Sequence, residues 1–221
     1  MFLKDLFLNN LDKINWRNLS SNPNAIEMLE KNLDKVYLSE LAENPNAMHL
    51  LEKNIDKIRW ECLSKNPNAI DLLSKNLDKV DWRYFSQNPN AISLLEKNLD
   101  KVSWLHLSVN PNAMHLLEKN MDKISWFWLS KNPSLRAIEI LENNLDKVDW
   151  WNLMENPNAL RIIESNMDKV SWYCLPKNPN ALHLIFENLD QDLVANHINW
   201  TSLSANPNAI AWLEENPGKI D

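Results

Sequence analysis

The chain has 221 residues, of which 44% are hydrophobic and 24% are charged, a composition typical of folded proteins and not of disordered ones. Its net charge of -7 disfavours a nucleic-acid-binding surface, because affinity for phosphate backbones comes mainly from lysine and arginine. No apolar run approaches the roughly 20 residues that a membrane-spanning helix needs, and the first residues lack the apolar core and cleavage site of a signal peptide.

One motif, Asn-Pro-Asn-Ala, organises the chain from end to end. It occurs eight times, and a ninth copy that begins at Asn132 is stretched to Asn-Pro-Ser-Leu-Arg-Ala. The motifs start 22 residues apart from Asn22 to Asn132, and then 24, 22 and 28 residues apart. Regular spacing of this kind indicates a stack of structural repeats. We therefore expect a single repeat domain over 1–221, with an N-terminal capping part-repeat at 1–21, tandem repeats at 22–205 and a C-terminal half-repeat at 206–221.

The sequence pattern of each repeat predicts a short helix followed by a longer one. A recurrent tryptophan such as Trp16 starts the short helix after a capping residue, and roughly five to seven residues later the next Asn-Pro ends it. Asn22 then caps the longer helix, and Pro23 fits its first turn, so we expect roughly eight to ten residues there. Asn32 follows this helix. Because asparagine tolerates the left-handed conformation, it can end helices in a chain with a single glycine.

These elements predict an all-α fold, since no strand pattern is present. We expect a right-handed α-solenoid of about nine 22-residue two-helix repeats, each with one longer α-helix and one short α or 3-10 helix, the longer one on the convex side. The motif asparagines are expected to form ladders between successive turns, and the Asp-Lys pairs that begin with Asp12-Lys13 are expected to form a solvated charge row. The expected core consists of Trp16, Leu19, Ala25, Ile26, Leu29, Leu33 and Val36 with their equivalents.

The repeat resembles the short tandem repeats found in many giant-virus proteins, for which no activity is assigned. It is also similar to leucine-rich-variant repeats, in which an Asn-Pro-Asn turn precedes paired leucines and an α-helix alternates with a second, often 3-10, helix. The residues that match this second pattern are Leu63, Asn66, Pro67, Asn68, Leu72 and Leu73, while Trp60 departs from it. The resemblance covers nearly the whole chain and implies a repeat architecture. It implies no iron–sulfur cofactor, because the cysteine cluster of some leucine-rich-variant proteins is absent.

The positions that vary between repeats carry the functional expectation. Two residues lie between each recurrent tryptophan and the next leucine, and the helical step of about 100° turns them away from the expected core. They are polar at both ends of the array and aromatic in its middle. The residues that we expect to line a concave face and to bind a partner are Tyr84, Leu105, His106, Phe127, Trp128, Trp151 and Tyr173. The alternative is that neighbouring short helices pack these rings side by side and nothing binds there.

Catalytic chemistry finds no support in the sequence. The five histidines have no metal-ligand spacing, and no glycine-rich phosphate loop or nucleophile elbow is present. Cys62 and Cys174 stand five repeats apart, so they do not suggest a disulfide framework. We therefore expect no enzyme activity, no catalytic or metal-binding residue and no cofactor.

Three classes of non-enzymatic function remain open. The first is a scaffold for protein–protein interaction, with a protein or peptide partner on the concave, aromatic-rich face. The second is a structural or self-associating protein of the virion type, in which the same face forms a homodimer. The third is a carbohydrate or small-ligand binder that uses the tryptophan strip. The two unpaired cysteines favour an intracellular, cytoplasmic setting without a membrane, and the viral resemblance adds a virus-infected host cell.

Overall fold

The computed structural model describes residues 10–188 and 197–215, and this part of the chain contains seventeen α-helices, seven 3-10 segments and no strand. The all-α prediction is therefore confirmed for the described residues. The chain divides into two compact units, unit 1 (Met1–Ser103) and unit 2 (Trp104–Asp221). Residues 1–9, 189–196 and 216–221 lie outside the described part, and with them lie portions of the predicted capping part-repeat and half-repeat.

Short helices follow one another along both units. The α-helices are α1 (Trp16–Ser21), α2 (Ile26–Glu30), α3 (Leu38–Glu43), α4 (Met48–Glu52), α5 (Trp60–Lys65), α6 (Ile70–Ser74), α7 (Trp82–Gln87), α8 (Ile92–Glu96), α9 (Trp104–Leu107), α10 (Met114–Glu118), α11 (Trp126–Ser130), α12 (Leu135–Glu142), α13 (Trp150–Met154), α14 (Leu160–Glu164), α15 (Leu182–Asn188), α16 (Trp200–Ser204) and α17 (Ile210–Glu215). The 3-10 segments are Leu11–Lys13, Leu33–Lys35, Ile55–Lys57, Met121–Lys123, Leu145–Lys147, Met167–Lys169 and Leu175–Lys177.

Asparagine and aspartate side chains cap helices that start at the tryptophan position, as their sequence predicts, whereas Ser125 makes no capping hydrogen bond. Asn15 Oδ1 accepts a hydrogen bond from the N–H of Asn18 at 3.1 Å, and Asp149 Oδ1 accepts one from Asn152 at 2.9 Å. These side chains satisfy donors that the first turn of a helix leaves without a partner. In one repeat the 3-10 segment Leu175–Lys177 replaces the α-helix. Pro176 lies within it and has no N–H to donate, which opposes an α-helix there.

The helix after each Asn-Pro-Asn motif is shorter than predicted. It has five residues in α2, against the eight to ten expected, and Asn22 does not cap it. Asn22 Oδ1 instead accepts the N–H of Asn24 at 2.9 Å, and its carbonyl oxygen accepts the N–H of Ala25 at 3.1 Å. The motif residues therefore form a turn that the side chain of Asn22 stabilises, and the helix begins only after Ala25.

The end of this helix also differs from the prediction. Asn32 has φ -139° and ψ 48°, and no non-glycine residue in the described part has a positive φ. The prediction of a left-handed cap at Asn32 is therefore wrong. Asn32 Nδ2 instead donates to the carbonyl of Met28 at 2.9 Å, which satisfies an acceptor of the last turn. The same bond to the carbonyl four residues earlier is made by Asn54, Asn76, Asn98, Asn120, Asn144, Asn166 and Asn188.

Asparagine ladders connect successive repeats, as predicted. Asn44 Nδ2 donates to the carbonyl oxygens of Ser20 and Asn22, at 3.0 and 2.9 Å, and its Oδ1 accepts the N–H of Asn46. The asparagines that donate in the same way are Asn66, Asn88, Asn132, Asn156, Asn178 and Asn206. All of these side chains are buried, so each bond satisfies backbone groups that water cannot reach.

A serine at the end of the short helix adds a second connection. Ser64 Oγ donates to the carbonyl of Trp60 at 2.7 Å and accepts the N–H of Asp81, in the next repeat, at 3.0 Å. The serines that bridge two repeats in this way are Ser20, Ser64, Ser86, Ser108 and Ser130. This bridge explains why a small hydroxyl side chain recurs next to the core leucine.

The most deeply buried core positions are two leucines and one alanine in each repeat. Leu63 and Leu73 are fully buried, as is Ala69 between them. The predicted core position Leu33 is instead 55% exposed, because it lies in the 3-10 segment that follows the helix. Its exposed equivalents are Leu99, Met121, Leu145 and Met167.

The recurrent tryptophans are half-buried, and those from Trp16 to Trp126 have a lysine over one face of the ring. Lys79 Nζ lies 4.8 Å from the ring centroid of Trp60, a cation–π distance. The row of lysines predicted to be merely solvated therefore covers the tryptophan rings. The pairs with the same geometry are Lys35–Trp16, Lys101–Trp82, Lys123–Trp104 and Lys147–Trp126.

Successive short helices pack against one another in a regular pattern that is consistent with a solenoid. In unit 1, α1 packs on α3, α3 on α5 and α5 on α7. In unit 2, α11 packs on both α12 and α13. The longer α12 begins within the stretched motif: Ser134 Oγ caps it by accepting the N–H of Arg136, so the added residues extend this helix.

Candidate interaction surface

The first residue after the tryptophan position is exposed on the short helices of unit 2. Leu105 is 51% exposed, Phe127 47%, Trp151 55% and Tyr173 52%. We call these four residues the exposed strip. They occupy the same position in four successive repeats, so the strip follows directly from the stacking of the short helices. Sequence reasoning predicted all four as partner-binding residues.

The second residue after the tryptophan position does not face away from the core, contrary to the prediction. Asn152 and Cys174 are buried, and His106 and Trp128 are half-buried. One further helical step turns these side chains toward the neighbouring short helix. His106 and Trp128 accordingly stack across two repeats, with ring centroids 6.1 Å apart and an interplanar angle of 30°. Each ring therefore covers part of the other, and both side chains are less exposed than the four residues of the exposed strip.

Ring contacts link the exposed strip to Trp128 and join two of the strip's own members. Phe127 and Trp128 meet edge to face, with centroids 5.3 Å apart. Trp151 and Tyr173 lie 6.1 Å apart at an angle of 35°. These contacts lie within the range at which aromatic pairs attract each other.

Tyr84, the remaining predicted residue, belongs to unit 1 and has charged neighbours. Lys65 Nζ lies 4.5 Å from the centroid of its ring, and the guanidinium carbon of Arg83 lies 5.6 Å from it. Arg83 also pairs with Asp81 at 2.6 Å, and the hydrogen bond from Arg83 lowers the pKa of Asp81. The structure therefore places Tyr84 in a polar setting, unlike the four residues of the exposed strip.

Lys131 is the residue that sequence reasoning missed. It ends the short helix α11, and its Nζ lies 5.7 Å from the ring centroid of Phe127 and 5.8 Å from that of Trp128. Among the described residues no carboxylate pairs with it. The position that would supply one, 22 residues earlier, holds Val109.

Two other lysines occupy the same position, and both are paired. Lys65 lies 2.8 Å from Glu43, and Lys177 lies 2.6 Å from Glu155. In both cases the glutamate stands 22 residues earlier, and its hydrogen bond raises the pKa of the lysine. At this position glutamate is followed by lysine in the next repeat at Glu43 and Lys65 and again at Glu155 and Lys177. The sequence therefore already shows that Lys131, which follows Val109, lacks such a glutamate.

The potential metal ligands of the described residues do not cluster, and both cysteines are buried. In 10–188 and 197–215, no cluster of three or more His, Cys, Asp or Glu side chains could hold a metal ion. Burial raises the pKa of both Cys62 and Cys174, which opposes the thiolate form that a nucleophile needs. An open cavity of about 600 Å³ at the start of unit 1 is lined by Asn10, Lys13, Ile14, Asn15, Asn18, Leu19 and Asn22, a set without a carboxylate, histidine or cysteine.

Comparison with known protein families, curated proteins and solved structures finds no match to the chain. The function therefore has to be argued from the surface itself. No helix in the described ranges combines the length and the apolar character needed to cross a membrane.

Proposed function

We propose that the protein is a non-enzymatic repeat scaffold that binds a protein or peptide partner through the exposed strip. The observation that carries this proposal is the exposure, close to half, of four large apolar side chains at one position of successive repeats. Exposed apolar patches usually mark interaction sites, and tryptophan and tyrosine are enriched among the residues that dominate binding energy.

The proposal includes the finer architecture expected from the repeats. About nine two-helix repeats form a right-handed α-solenoid, and the short helices line its concave side, where solenoids commonly bind their partners. The buried free thiols of Cys62 and Cys174 support a reducing compartment such as the cytoplasm as the place of action.

A second exposed apolar row supplies a useful contrast. It consists of the 3-10 residues equivalent to Leu33, such as Met121, Leu145 and Met167, which are 37–38% exposed in unit 2. This row recurs in both units and belongs to the repeat itself. The position that forms the exposed strip is apolar only in unit 2. This restriction to one unit favours the strip, and not the second row, as the surface that serves a specific function.

The experiment compares two triple variants of unit 2. Phe127→Ser, Trp151→Ser and Tyr173→Ser together remove the rings of the strip, while Met121→Ser, Leu145→Ser and Met167→Ser remove apolar side chains from the other row. We expect the first variant to lose partner capture, or to change from dimer to monomer in light scattering. The second variant should behave as the parent does, and both should keep the helical circular dichroism spectrum.

Two results would contradict the proposal. Equal loss of binding in both variants would mean that general surface hydrophobicity is responsible. Unfolding of the ring variant alone would mean that the strip is part of the core. A change from dimer to monomer without loss of any other partner would favour the self-associating alternative, and binding to glycans would favour the carbohydrate alternative.

A further inference from the structure

We infer that copies of this chain bind one another head to tail, with the start of unit 1 of one copy against the end of unit 2 of the next. The inference concerns surfaces other than the exposed strip and does not depend on the proposed function. It rests on the hydrogen bonds that join successive repeats. The donors of this set lack partners at the start of unit 1 among the described residues, and the acceptors lack them at the end of unit 2.

The junction between two repeats has donors on one side and acceptors on the other. At the first junction Asn44 Nδ2 donates to the carbonyl oxygens of Ser20 and Asn22, at 3.0 and 2.9 Å. Asn46 Nδ2 donates to the carbonyl of Pro23 at 3.0 Å. Later junctions in both units repeat these bonds. The later repeat therefore supplies the amide donors, and the earlier repeat supplies the carbonyl acceptors.

The start of unit 1 presents the donors without acceptors. Asn22 and Asn24 stand where Asn44 and Asn46 stand in the next repeat, and their Nδ2 groups make no hydrogen bond among the described residues. The side chain of Asn22 is exposed, whereas that of Asn44 is fully buried. We call this surface the donor face. It consists of Asn15, Asn18, Leu19, Asn22 and Asn24.

The end of unit 2 presents the matching acceptors. Asn206 and Pro207 stand where Asn22 and Pro23 stand in the first repeat, but no side-chain amide of the described residues donates to their carbonyl oxygens. The carbonyl of Asn206 accepts the N–H of Ala209 at 3.0 Å, which leaves one lone pair for a second donor. We call this surface the acceptor face. It consists of Thr201, Ser204, Ala205, Asn206 and Pro207.

The serine bridge divides between the two faces in the same way. Within unit 1, Ser20 Oγ accepts the N–H of Tyr37 at 3.0 Å. Ser204 stands at the Ser20 position, and its Oγ has no hydrogen bond among the described residues. Asn15 stands at the Tyr37 position, 22 residues earlier, and its N–H likewise lacks an acceptor in the described part. A second copy in the register of an internal junction therefore pairs Asn15 with Ser204 as well.

The described residues of two copies complete one repeat between them. By position in the repeat, Glu215 corresponds to Lys31, and Asn10 corresponds to Asn32, the next residue. Helix α17 of one copy and the 3-10 segment Leu11–Lys13 of the next copy therefore supply different parts of the same repeat. The head-to-tail register uses no described position twice.

Each face also has an open cavity beside its hydrogen-bonding groups. The cavity of the donor face measures about 600 Å³ and includes Leu19, which is half-buried there, whereas Leu41 at the same position of the next repeat is buried. The cavity of the acceptor face measures about 410 Å³, and Thr201 and Ala205 line it. Contact between the faces would remove apolar surface from water as well as pair the polar groups.

The test measures the mass of the full chain by sedimentation as its concentration rises. We expect growth past the dimer, because a head-to-tail contact leaves one face of each kind open unless a ring closes. Asn22→Asp keeps the Oδ1 that stabilises the turn but removes the Nδ2 donor, so it should weaken association about tenfold or more. Asn143→Asp makes the same change at an exposed asparagine that bonds to Glu139 of its own repeat, and should leave association unchanged.

Two blocking variants test which faces pair. Asn18→Arg places a long charged side chain beside the cavity of the donor face, and Ala205→Arg does the same at the acceptor face. Both replace exposed side chains, so both should keep the parent's circular dichroism spectrum. Each variant alone should stay monomeric. Their equimolar mixture should form a species of two chains and nothing larger, because it contains one intact face of each kind.

A charge pair tests the register of the contact. Across an internal junction Lys65 Nζ lies 2.8 Å from Glu43, and the same two positions across the proposed contact hold Ser21 and Ala205. A chain with Ser21→Lys and Ala205→Glu should associate about threefold or more tightly than a chain with Ser21→Glu and Ala205→Glu. High salt should shrink this difference, because it screens exposed charges.

Four results would overturn the inference. The first is a parent chain that stays monomeric at every concentration, as it would if residues 1–9 or 216–221, which lie outside the described part, covered the two faces. The second is undiminished association of both blocking variants, and the third is a mixture of them that forms no two-chain species. The fourth is loss of association in the triple serine variant of the exposed strip, which would assign self-association to the strip. Partner capture by the strip is measured separately, so the proposed function can fail or stand independently.

Discussion

Units 1 and 2 share one architecture and differ on one face. Both contain the asparagine ladder, the serine bridge and the lysine-covered tryptophans. The first position after the tryptophan, however, is polar throughout unit 1, whereas in unit 2 it is apolar or aromatic in every repeat but the last. In unit 1 it holds Arg17, Ser39, Glu61 and Arg83, and in unit 2 it holds Leu105, Phe127, Trp151, Tyr173 and Thr201.

The charged residues at this position in unit 1, Arg17, Glu61 and Arg83, are paired within the chain. Arg17 bonds to Glu40, Arg59 lies 3.3 Å from Glu61, and Arg83 pairs with Asp81. In unit 2, Trp151 and Tyr173 contact each other, and all four residues of the exposed strip remain about half exposed. The two units therefore keep the same side chains only where the repeat needs them for its core or for hydrogen bonds to the backbone. The first position is free of that requirement, so its side chains can differ between the two units.

The largest expected effect compares two leucines of one helix in unit 2. Leu107 is fully buried and Leu105 is 51% exposed, although both lie in α9. Leu107→Ala should lower the free energy of unfolding by about 2–5 kcal/mol, because it leaves a cavity in the core. Leu105→Ala should change it by no more than about 0.5 kcal/mol, as is usual on a surface. Urea denaturation followed by circular dichroism measures both.

The same contrast can be drawn in unit 1. Phe85 is fully buried and Arg83 is exposed, so Phe85→Ala should destabilise strongly and Arg83→Ala should not. If Leu105→Ala proved as costly as Leu107→Ala, the first position would be part of the core in unit 2. The distinction between the two units would then be one of packing and not of function.

The sequence was sufficient to predict the elements whose signal is local and repeated. The period of the motif predicted stacked helices, and the recurring amides predicted the ladder. The turn at Asn22 and the cap at Asn32 were assigned wrong conformations, because an asparagine side chain can bond its own turn, a helix end or a neighbouring repeat equally well. The burial of Asn152 and Cys174 was also missed, since it depends on how closely neighbouring short helices approach one another.

An intermediate effect is expected from the ladder, which the two units share. Asn156 Nδ2 donates to the carbonyls of Ser130 and Asn132, at 3.0 and 2.8 Å, and the side chain is buried. Asn156→Ala should cost about 1–3 kcal/mol, because it leaves buried acceptors without a donor. Asn158 makes an exposed bond to Pro133, so Asn158→Ala should cost less. Thermal unfolding of both variants gives the comparison.

The equivalent pair in unit 1 extends this test. Asn66→Ala and Asn68→Ala should reproduce the difference, since Asn66 is buried and bonds to Ala42 and Asn44 while Asn68 is exposed. A large effect in one unit only would show that the ladder does not stabilise both units in the same way.

The smallest expected effect concerns the lysines over the tryptophan rings, and unit 1 contains its own control. Lys79 Nζ lies 4.8 Å from the ring centroid of Trp60, whereas Lys57 has no ring beside it in the described residues, because Leu38 fills the tryptophan position of its repeat. Lys79→Gln should cost about 0.5–1 kcal/mol, as expected for an exposed cation–π pair, and Lys57→Gln should cost nothing measurable. Lys147→Gln, opposite Trp126 in unit 2, should match Lys79→Gln. If Lys57→Gln and Lys79→Gln lowered the free energy of unfolding equally, the lysines would act through solvation alone. Leu38→Trp should add a ring beside Lys57 and raise stability, and the loss of this gain when Lys57 is also changed to Gln would confirm the pairing.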